Sequence, residues 1–297
     1  MRFKNFIAAA AGLLVMTGFT AAISAEARTK KIDKPAYAIY TGDGKVSDYD
    51  TMIKSLAKAE IIFIGETHNC PIAHWMEQSI TLDLYEMDHD GLSLGAEMFE
   101  RDNQLLVDEY VNKIIGSDRF ESEAKVWDNW YTDYYPLLFI ARDFNLPFIA
   151  TNVPRRYASY VKENGLEALG QLSDEAKALI APLPINYKEG DQDMFCFMQL
   201  MSGKSDKSYY EEAQALKDAT MAWSIAQNFK KKFIHYNGNF HSDNHGGIIP
   251  YLEEYLPGHS IATVSCVRQD TIDGLGEENL GRADFIICVP ELMTTTF

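Results

Sequence analysis

The chain has 297 residues, of which 46% are hydrophobic and 24% are charged, a composition typical of a globular protein rather than a disordered one. Its formal net charge of −16 argues against nucleic acid as a partner, because phosphate binding is driven by counterion release from basic surfaces. The length fits one α/β domain.

The first 27 residues are predicted to be an export signal. A basic start and an apolar stretch over 7–20 are followed by small residues at Ala25 and Ala27, the pattern of a signal peptide cleaved after one of these alanines. A membrane anchor is the alternative, but the apolar stretch is short for a span of about 20 residues. No cysteine lies near the cleavage site. We therefore expect a periplasmic or extracellular protein without a lipid anchor, with residues 28–297 as a single domain.

Strand-like and helix-like stretches alternate along the rest of the chain, which predicts an α/β fold with a mostly parallel central sheet and helices on both faces. Residues at about 164–207 interrupt this alternation and predict a helical insertion, interpreted as a lid, with a Met/Phe cluster over 194–201. The predicted strands cover 36–40, 61–64, 92–96, 148–151, 233–236, 260–267 and 284–289. The predicted helices cover 49–58, 71–87, a stretch around 105–110, 137–144, 156–162, 208–230 and 248–255.

Polar side chains follow four of the predicted strands. The carboxyl ends of parallel strands meet at one edge of a sheet, where open α/β sheets bind their ligands, so we expect one shared pocket. Each signal has a structural alternative: a histidine held by hydrogen bonds, a carboxylate that caps a helix, or an arginine that neutralises nearby acids. The four pairs are Glu66 with His68, Glu97 with Arg101, Asn152 with Arg155, and Asn239 with His241.

Two of these strand ends carry the same Gly-x-x-His pattern, at 65–68 and 238–241. Two imidazoles and two carboxylates suit a divalent metal or the activation of water, so a metal site is predicted from the set Glu66, His68, Glu97 and His241. His74 is interpreted as a rim or structural residue. The four cysteines are widely spaced and lack a Cys-x-x-Cys pair, which leaves disulfides and buried free thiols as alternatives.

Six short motifs follow one another over about residues 60–256. They are Gly65-Glu66-Thr67-His68, Gly95-x-Glu97-Met98-Phe99-x-Arg101, Tyr134-x-Pro136-Leu137-Leu138, Ala150-x-Asn152-x-Pro154-Arg155, Lys217-Asp218-Ala219-x-Met221-Ala222 and Gly238-Asn239-x-His241. In this order the motifs resemble the ChaN-like haem-binding uptake family of the Tiki superfamily. That resemblance implies a haem-binding protein for iron acquisition at a bacterial envelope, with a homodimer and envelope uptake proteins as further expected partners. More distant relatives, the Tiki proteases and erythromycin esterases, imply a metal-dependent hydrolase as the alternative. An envelope interaction module with a vestigial pocket is a third hypothesis.

Haem binding, if the resemblance holds, requires an axial ligand and partners for the propionates. Ferric haem accepts tyrosinate or histidine, and Tyr134 or Tyr135 is the predicted ligand. Arg101, Arg155 or Arg156 is predicted to pair with the propionates, and Asn152 is a further predicted haem-binding residue. The chain departs from the family pattern at Tyr135, where arginine is common, and it lacks the acylation cysteine of lipoprotein members. The alternative for either tyrosine is a place in the core.

Overall fold

The computed structural model describes residues 34–187 and 209–297. Its strands are β1 (Ala38–Thr41), β2 (Val46–Ser47), β3 (Ile61–Glu66), β4 (Leu92–Glu100), β5 (Phe148–Asn152), β6 (Lys232–Gly238), β7 (Ile261–Gln269) and β8 (Phe285–Pro290). Its α-helices are α1 (Tyr49–Leu56), α2 (Pro71–Met87), α3 (Gln104–Val111), α4 (Ser117–Glu123), α5 (Tyr135–Phe144), α6 (Arg155–Asn164), α7 (Asp174–Lys177), α8 (Tyr210–Asn228) and α9 (Ile248–Tyr255). A π-helix (Trp130–Tyr134) leads into α5, and 3₁₀ turns occur at Arg101–Asn103, Leu166–Gln171, Asn239–His241, Asp243–His245 and Glu277–Asn279.

The strands form one eight-stranded sheet in the order β2-β1-β8-β7-β3-β6-β4-β5. The six strands from β8 to β5 in this order are parallel to one another, and β1 pairs antiparallel with both β2 and β8. The predicted α/β class with a mostly parallel sheet is therefore confirmed. The order places β6 between β3 and β4, although β6 comes last of these three in the chain.

Both faces of the sheet are covered, as the apolar run of β3 predicts. Successive side chains of a strand point to opposite faces, and Ile62 and Ile64 pack into one apolar cluster while Ile61 and Phe63 pack into another. The first cluster contains the buried sides of α1, α2 and α5, and the second contains those of α6, α8 and α9. This double coverage leaves the strand ends as the open part of the central sheet.

Local signals set several element boundaries. Asp48 precedes α1 and accepts a hydrogen bond from the Thr51 backbone N–H at 2.7 Å, which caps the helix. Pro71 occupies the first position of α2, where its missing N–H costs nothing. β4 continues to Glu100 instead of ending at Ala96, and its pairing with β5 shifts register between these two residues. Glu97 is therefore part of a buried strand rather than of the loop that follows it.

Two predicted segments are covered only in part or not at all. The described part of the predicted insertion, 164–187, contains a 3₁₀ turn and the short α7, while 188–207 and its Met/Phe cluster lie outside the described residues, as does the predicted signal peptide over 1–27. No helix of the described residues is long and apolar enough to cross a membrane.

The cysteines in the described residues are free thiols. Cys70, Cys266 and Cys288 are all buried, and the closest pair, Cys70 and Cys266, has its sulfur atoms 4.0 Å apart. Of the two alternatives left by the sequence, the structure has buried thiols at these three positions.

Candidate functional site

Four neighbouring strands end around one cavity. The carboxyl ends of β3, β6, β4 and β5 surround a space of about 350 Å³, which we call the strand-end cavity. Polar residues from separate parts of the chain meet here because parallel strands share one edge. The predicted site residues that line it are His68, Glu97, Asn152, Arg155 and His241.

Glu66 holds the imidazole of His68 at the cavity wall. Glu66 Oε1 lies 2.6 Å from His68 Nδ1 and accepts a second hydrogen bond, of 2.8 Å, from the hydroxyl of Tyr134. Burial alone would raise the pKa of Glu66, but the hydrogen bond from His68 and the nearby imidazole of His74 lower it below its usual range. The His68 side chain is 38% exposed, its Nε2 has no hydrogen-bond partner among the described residues, and its ring meets Trp127 edge-on with centroids 5.0 Å apart.

A second imidazole, His241, lies between two buried carboxylates. Its Nε2 is 3.2 Å from Glu97 Oε1 and its Nδ1 is 2.5 Å from Asp218 Oδ1. Burial would lower the pKa of His241, but the two acids raise it to about 10, so the ring is an imidazolium with a hydrogen on each nitrogen. Burial raises the pKa of Asp218, whereas the charge of His241 overcomes the burial of Glu97 and lowers the pKa of that carboxyl. His241 therefore supplies a fixed positive charge.

Gly238 lets the two histidine clusters approach each other. Its backbone N–H donates to Glu97 Oε2 at 2.8 Å, and a Cβ at this position would lie 2.9 Å from His68 Cε1 and Nε2. Gly65 is similar, since a Cβ there would lie 2.7 Å from Asn239 Oδ1. Both glycines serve close approach between neighbouring strand ends rather than a sharp turn.

Behind Glu66 lies a third acid–imidazole cluster that the sequence did not reveal. His74 Nδ1 is 2.9 Å from Glu66 Oε2 and 3.2 Å from Glu77 Oε2, and its Nε2 is 3.2 Å from Asp133 Oδ2. His74 is buried at the centre of this cluster, so of its two interpretations, a rim residue or a structural residue, only the second agrees with its position. The signal that was missed is its spacing: His74 and Glu77 stand three residues apart on the helix face that also buries Ala73.

Burial and then the neighbouring Glu66 carboxylate raise the pKa of Glu77 well above its ordinary value. In contrast, burial would lower the pKa of His74, but the neighbouring carboxylates of Glu66 and Glu77 raise it to about 11. Glu66, His74 and Glu77 are the one group of three potential metal-ligating side chains that the described residues bring within 4.8 Å of one another. The predicted metal-binding set is held instead as two separate pairs, Glu66 with His68 and Glu97 with His241.

Four predicted haem-binding residues do not line the strand-end cavity, and one of them, Arg156, pairs with Asp102. Arg101 donates to Ser224 Oγ at 2.6 Å and to the Ala178 carbonyl at 3.2 Å, beside a different, smaller cavity. Tyr134 is buried behind Glu66, and burial, with the Glu66 charge second, raises its pKa and disfavours a tyrosinate. Tyr135 lines an apolar surface groove together with Phe139.

Basic residues on one side complete the strand-end cavity. Arg155, which was predicted, is joined by Lys162 and Lys217. A second cavity of about 670 Å³ adjoins the first and shares Arg155, Trp127 and two further residues with it. The site thus combines a cationic side suited to carboxylates or phosphates with an apolar part formed by Met98, Trp127, Val153, Ala158 and Phe240.

The family model for haem-binding uptake proteins of the Tiki superfamily, ChaN, matches residues 52–252. Among solved structures, this chain is similar to ChaN of Campylobacter jejuni, whose structure is described as showing cofacial haem binding. The TM-score is 0.66 at 17% identity, over 84% of this chain and 96% of that one. At this identity the match shows a shared fold.

Two weaker structural similarities add nothing to the fold assignment. A Bacillus cereus protein has a TM-score of 0.44 at 13% identity, over 81% of this chain and 90% of that one. A mutant erythromycin esterase in its open conformation has a TM-score of 0.43 at 14% identity, over 75% and 74%. A search of curated proteins gives no match. On the family match, which spans most of the sequence, the chain belongs to the haem-binding uptake family of the Tiki superfamily that is named for ChaN.

Proposed function

We propose that this protein binds haem in the strand-end cavity and serves haem or iron acquisition outside the cytoplasm. The observation that carries the proposal is the state of His68: its Nδ1 is held by Glu66, while its Nε2 has no partner among the described residues and the ring lines the cavity. In histidines that bind metals, the ring nitrogen that is not the ligand often donates to a carboxylate, which orients the imidazole and increases its basicity.

The other cavity residues fit the same ligand. His241 is excluded as an axial ligand because both of its nitrogens are engaged by carboxylates. Trp127 and Phe240 offer apolar contacts to a macrocycle, and Arg155 and Lys217 offer charge to its propionates. Bound haem would supply a ferric iron with an open coordination position. Tyr135 remains the alternative axial ligand, and haem would then bind in the apolar surface groove that Tyr135 lines.

Titration with haemin separates these two places. We expect a Soret shift in the wild type that is lost or displaced in His68→Ala and unchanged in Tyr135→Phe. A Soret shift that is lost in Tyr135→Phe and unchanged in His68→Ala would place haem in the groove on α5. No Soret shift in the wild type would refute haem binding altogether. Gel filtration with and without haemin then tests the predicted homodimer.

Export is a separate part of the proposal and has its own test. The predicted signal peptide over 1–27 should be absent from protein recovered from the periplasmic or secreted fraction of a bacterial host. N-terminal sequencing should therefore begin after Ala25 or Ala27. Recovery of the full-length chain in the cytoplasmic fraction would contradict the proposed location and leave haem binding to be judged by spectroscopy.

Hydrolysis is the second candidate function, and the Glu66–His68 pair favours it. An imidazole held by a carboxylate through one nitrogen, with the other nitrogen free, is suited to act as a general base on water or a hydroxyl group. The nearby His241 imidazolium could stabilise negative charge that develops in the reaction. Ester hydrolysis that is present in the wild type, absent in His68→Ala and retained in Tyr135→Phe would support this function over simple ligand binding.

A further inference from the structure

The cluster behind the strand-end cavity contains unsatisfied buried oxygen atoms. His74 Nδ1 carries at most one hydrogen, yet the carboxylates of Glu66 and Glu77 both approach it, at 2.9 and 3.2 Å. Among the described residues, Glu66 Oε2 and Glu77 Oε1 are left buried without a hydrogen-bond donor. Buried carboxylate oxygens in native proteins nearly always have a hydrogen-bond or ion partner, so these two atoms require an explanation.

The acidic side chains of the cluster require a cation or a proton between them. Three carboxylates, from Glu66, Glu77 and Asp133, surround the single imidazole of His74, and these four side chains are at most 2% exposed. Like charges in a water-excluded interior repel strongly unless a cation or a proton lies between them. Tyr134 and His68 both contact the same oxygen of Glu66, Oε1, so they leave Oε2 facing the cluster.

We propose that Glu66, His74 and Glu77 form a buried binding site for a divalent first-row transition-metal ion, distinct from the strand-end cavity. The ligand set of two carboxylate oxygens and one imidazole nitrogen suits zinc, manganese or cobalt better than calcium. The separations of 2.9 and 3.2 Å from His74 Nδ1 to the two carboxylates lie within the roughly 2.9–3.4 Å expected between ligand atoms that are each about 2.0–2.2 Å from one ion.

The surroundings of His74 support this assignment. Its Nε2 is 3.2 Å from Asp133 Oδ2 and 3.2 Å from the carbonyl oxygen of His68, so a hydrogen on Nε2 has acceptors. Nδ1 is then free to ligate, and Asp133 fixes the ring through the nitrogen opposite the metal, as carboxylates do for metal-ligating histidines. Asp133 is itself held by Asn129 and by the Thr296 hydroxyl.

The metal site would be linked to the strand-end cavity through Glu66. One oxygen of this carboxylate faces the proposed ion and the other contacts His68 Nδ1. A metal ion would therefore hold Glu66, and with it the ring of His68, in one orientation. Metal binding at this site does not depend on haem, because Glu66, His74 and Glu77 do not line the strand-end cavity.

Metal content of the haem-free full-length protein tests the proposal. We expect about one equivalent of metal after expression in medium supplemented with zinc or manganese, followed by dialysis against metal-free buffer. Glu77→Gln keeps the size of the side chain and should lower metal affinity at least tenfold. The matched control Glu97→Gln alters the cavity pair with His241 and should keep the metal.

Cobalt gives a direct readout that does not depend on a variant. The cobalt-loaded wild type should show visible d–d absorption bands of a nitrogen- and oxygen-ligated ion, and these bands should be absent from Glu77→Gln that is folded by circular dichroism. A folded wild type with no retained metal and no cobalt bands would overturn the site, and Glu77 would then be a protonated acid bonded to Glu66. Loss of metal in Glu97→Gln with retention in Glu77→Gln would overturn it equally, by moving the ion to the cavity.

Discussion

Replacing Asp218 with asparagine removes one of the two charges that hold His241 protonated while keeping the size of the side chain. Burial would lower the pKa of His241, yet Glu97 and Asp218 raise it from 6.5 to about 10. At about 1.4 kcal/mol for each tenfold change in an equilibrium constant, this net shift corresponds to roughly 5 kcal/mol of stabilisation below pH 6.5 and to about 4 kcal/mol at pH 7. We assign about 2 kcal/mol of this to Asp218, because Glu97 is the larger cause and Asp218 is itself costly to bury in its charged form.

The sign of the pH dependence follows from the raised pKa. Stabilisation by protonated His241 is fully present below pH 6.5 and is lost as the pH rises through about 10. Asp218→Asn should therefore lower the free energy of unfolding by about 2 kcal/mol near neutral pH, and the difference from the wild type should shrink above the folded-state pKa of His241.

Urea unfolding on both sides of that pKa measures the difference, and NMR titration of the His241 ring should show a lower pKa in the variant. The control Asp50→Asn removes an exposed partner of Lys54 and should leave unfolding unchanged. If His241 titrates near 6.5 in the wild type, or if Asp218→Asn unfolds like the wild type near neutral pH, the argument from the two buried carboxylates is refuted.

Two further substitutions test the packing around His68. Gly238→Ala places a Cβ 2.9 Å from the His68 ring and should weaken haem binding at least tenfold by displacing that ring. The control Gly116→Ala has nothing within 4 Å of its Cβ and should bind haem like the wild type. Equal haem affinities of the two variants would contradict the role given to Gly238. Tyr134→Phe removes a hydrogen bond to the charged Glu66 and should lower the free energy of unfolding, measured in urea, by about 1.5–3 kcal/mol. The Soret band of the haem complex should stay unchanged, and a shifted band would restore Tyr134 as a haem ligand.

The linear pattern of the chain was sufficient for the class of fold. Four consecutive apolar residues before Gly65 indicate a strand buried on both faces, and Pro71 marks the first residue of α2. Such signals are local, because a strand's apolar run and a helix cap depend on neighbours in sequence. The pattern also predicted that polar residues after parallel strands meet at one edge of the sheet, and His68 and His241 both line the strand-end cavity.

What each side chain contacts was decided only by the tertiary structure. The insertion of β6 between β3 and β4 brings His241 to Glu97, and it cannot be read from the order of strands in the chain. Asp218 and His74 stand on helices and reach His241 and Glu66 only after those helices pack on the sheet, so these two contacts could not be read from sequence spacing. Arg101 follows a strand end, as the residues that line the cavity do, yet its side chain donates to Ser224 on α8. The direction of a strand fixes where the backbone leaves the sheet but not where a long side chain ends.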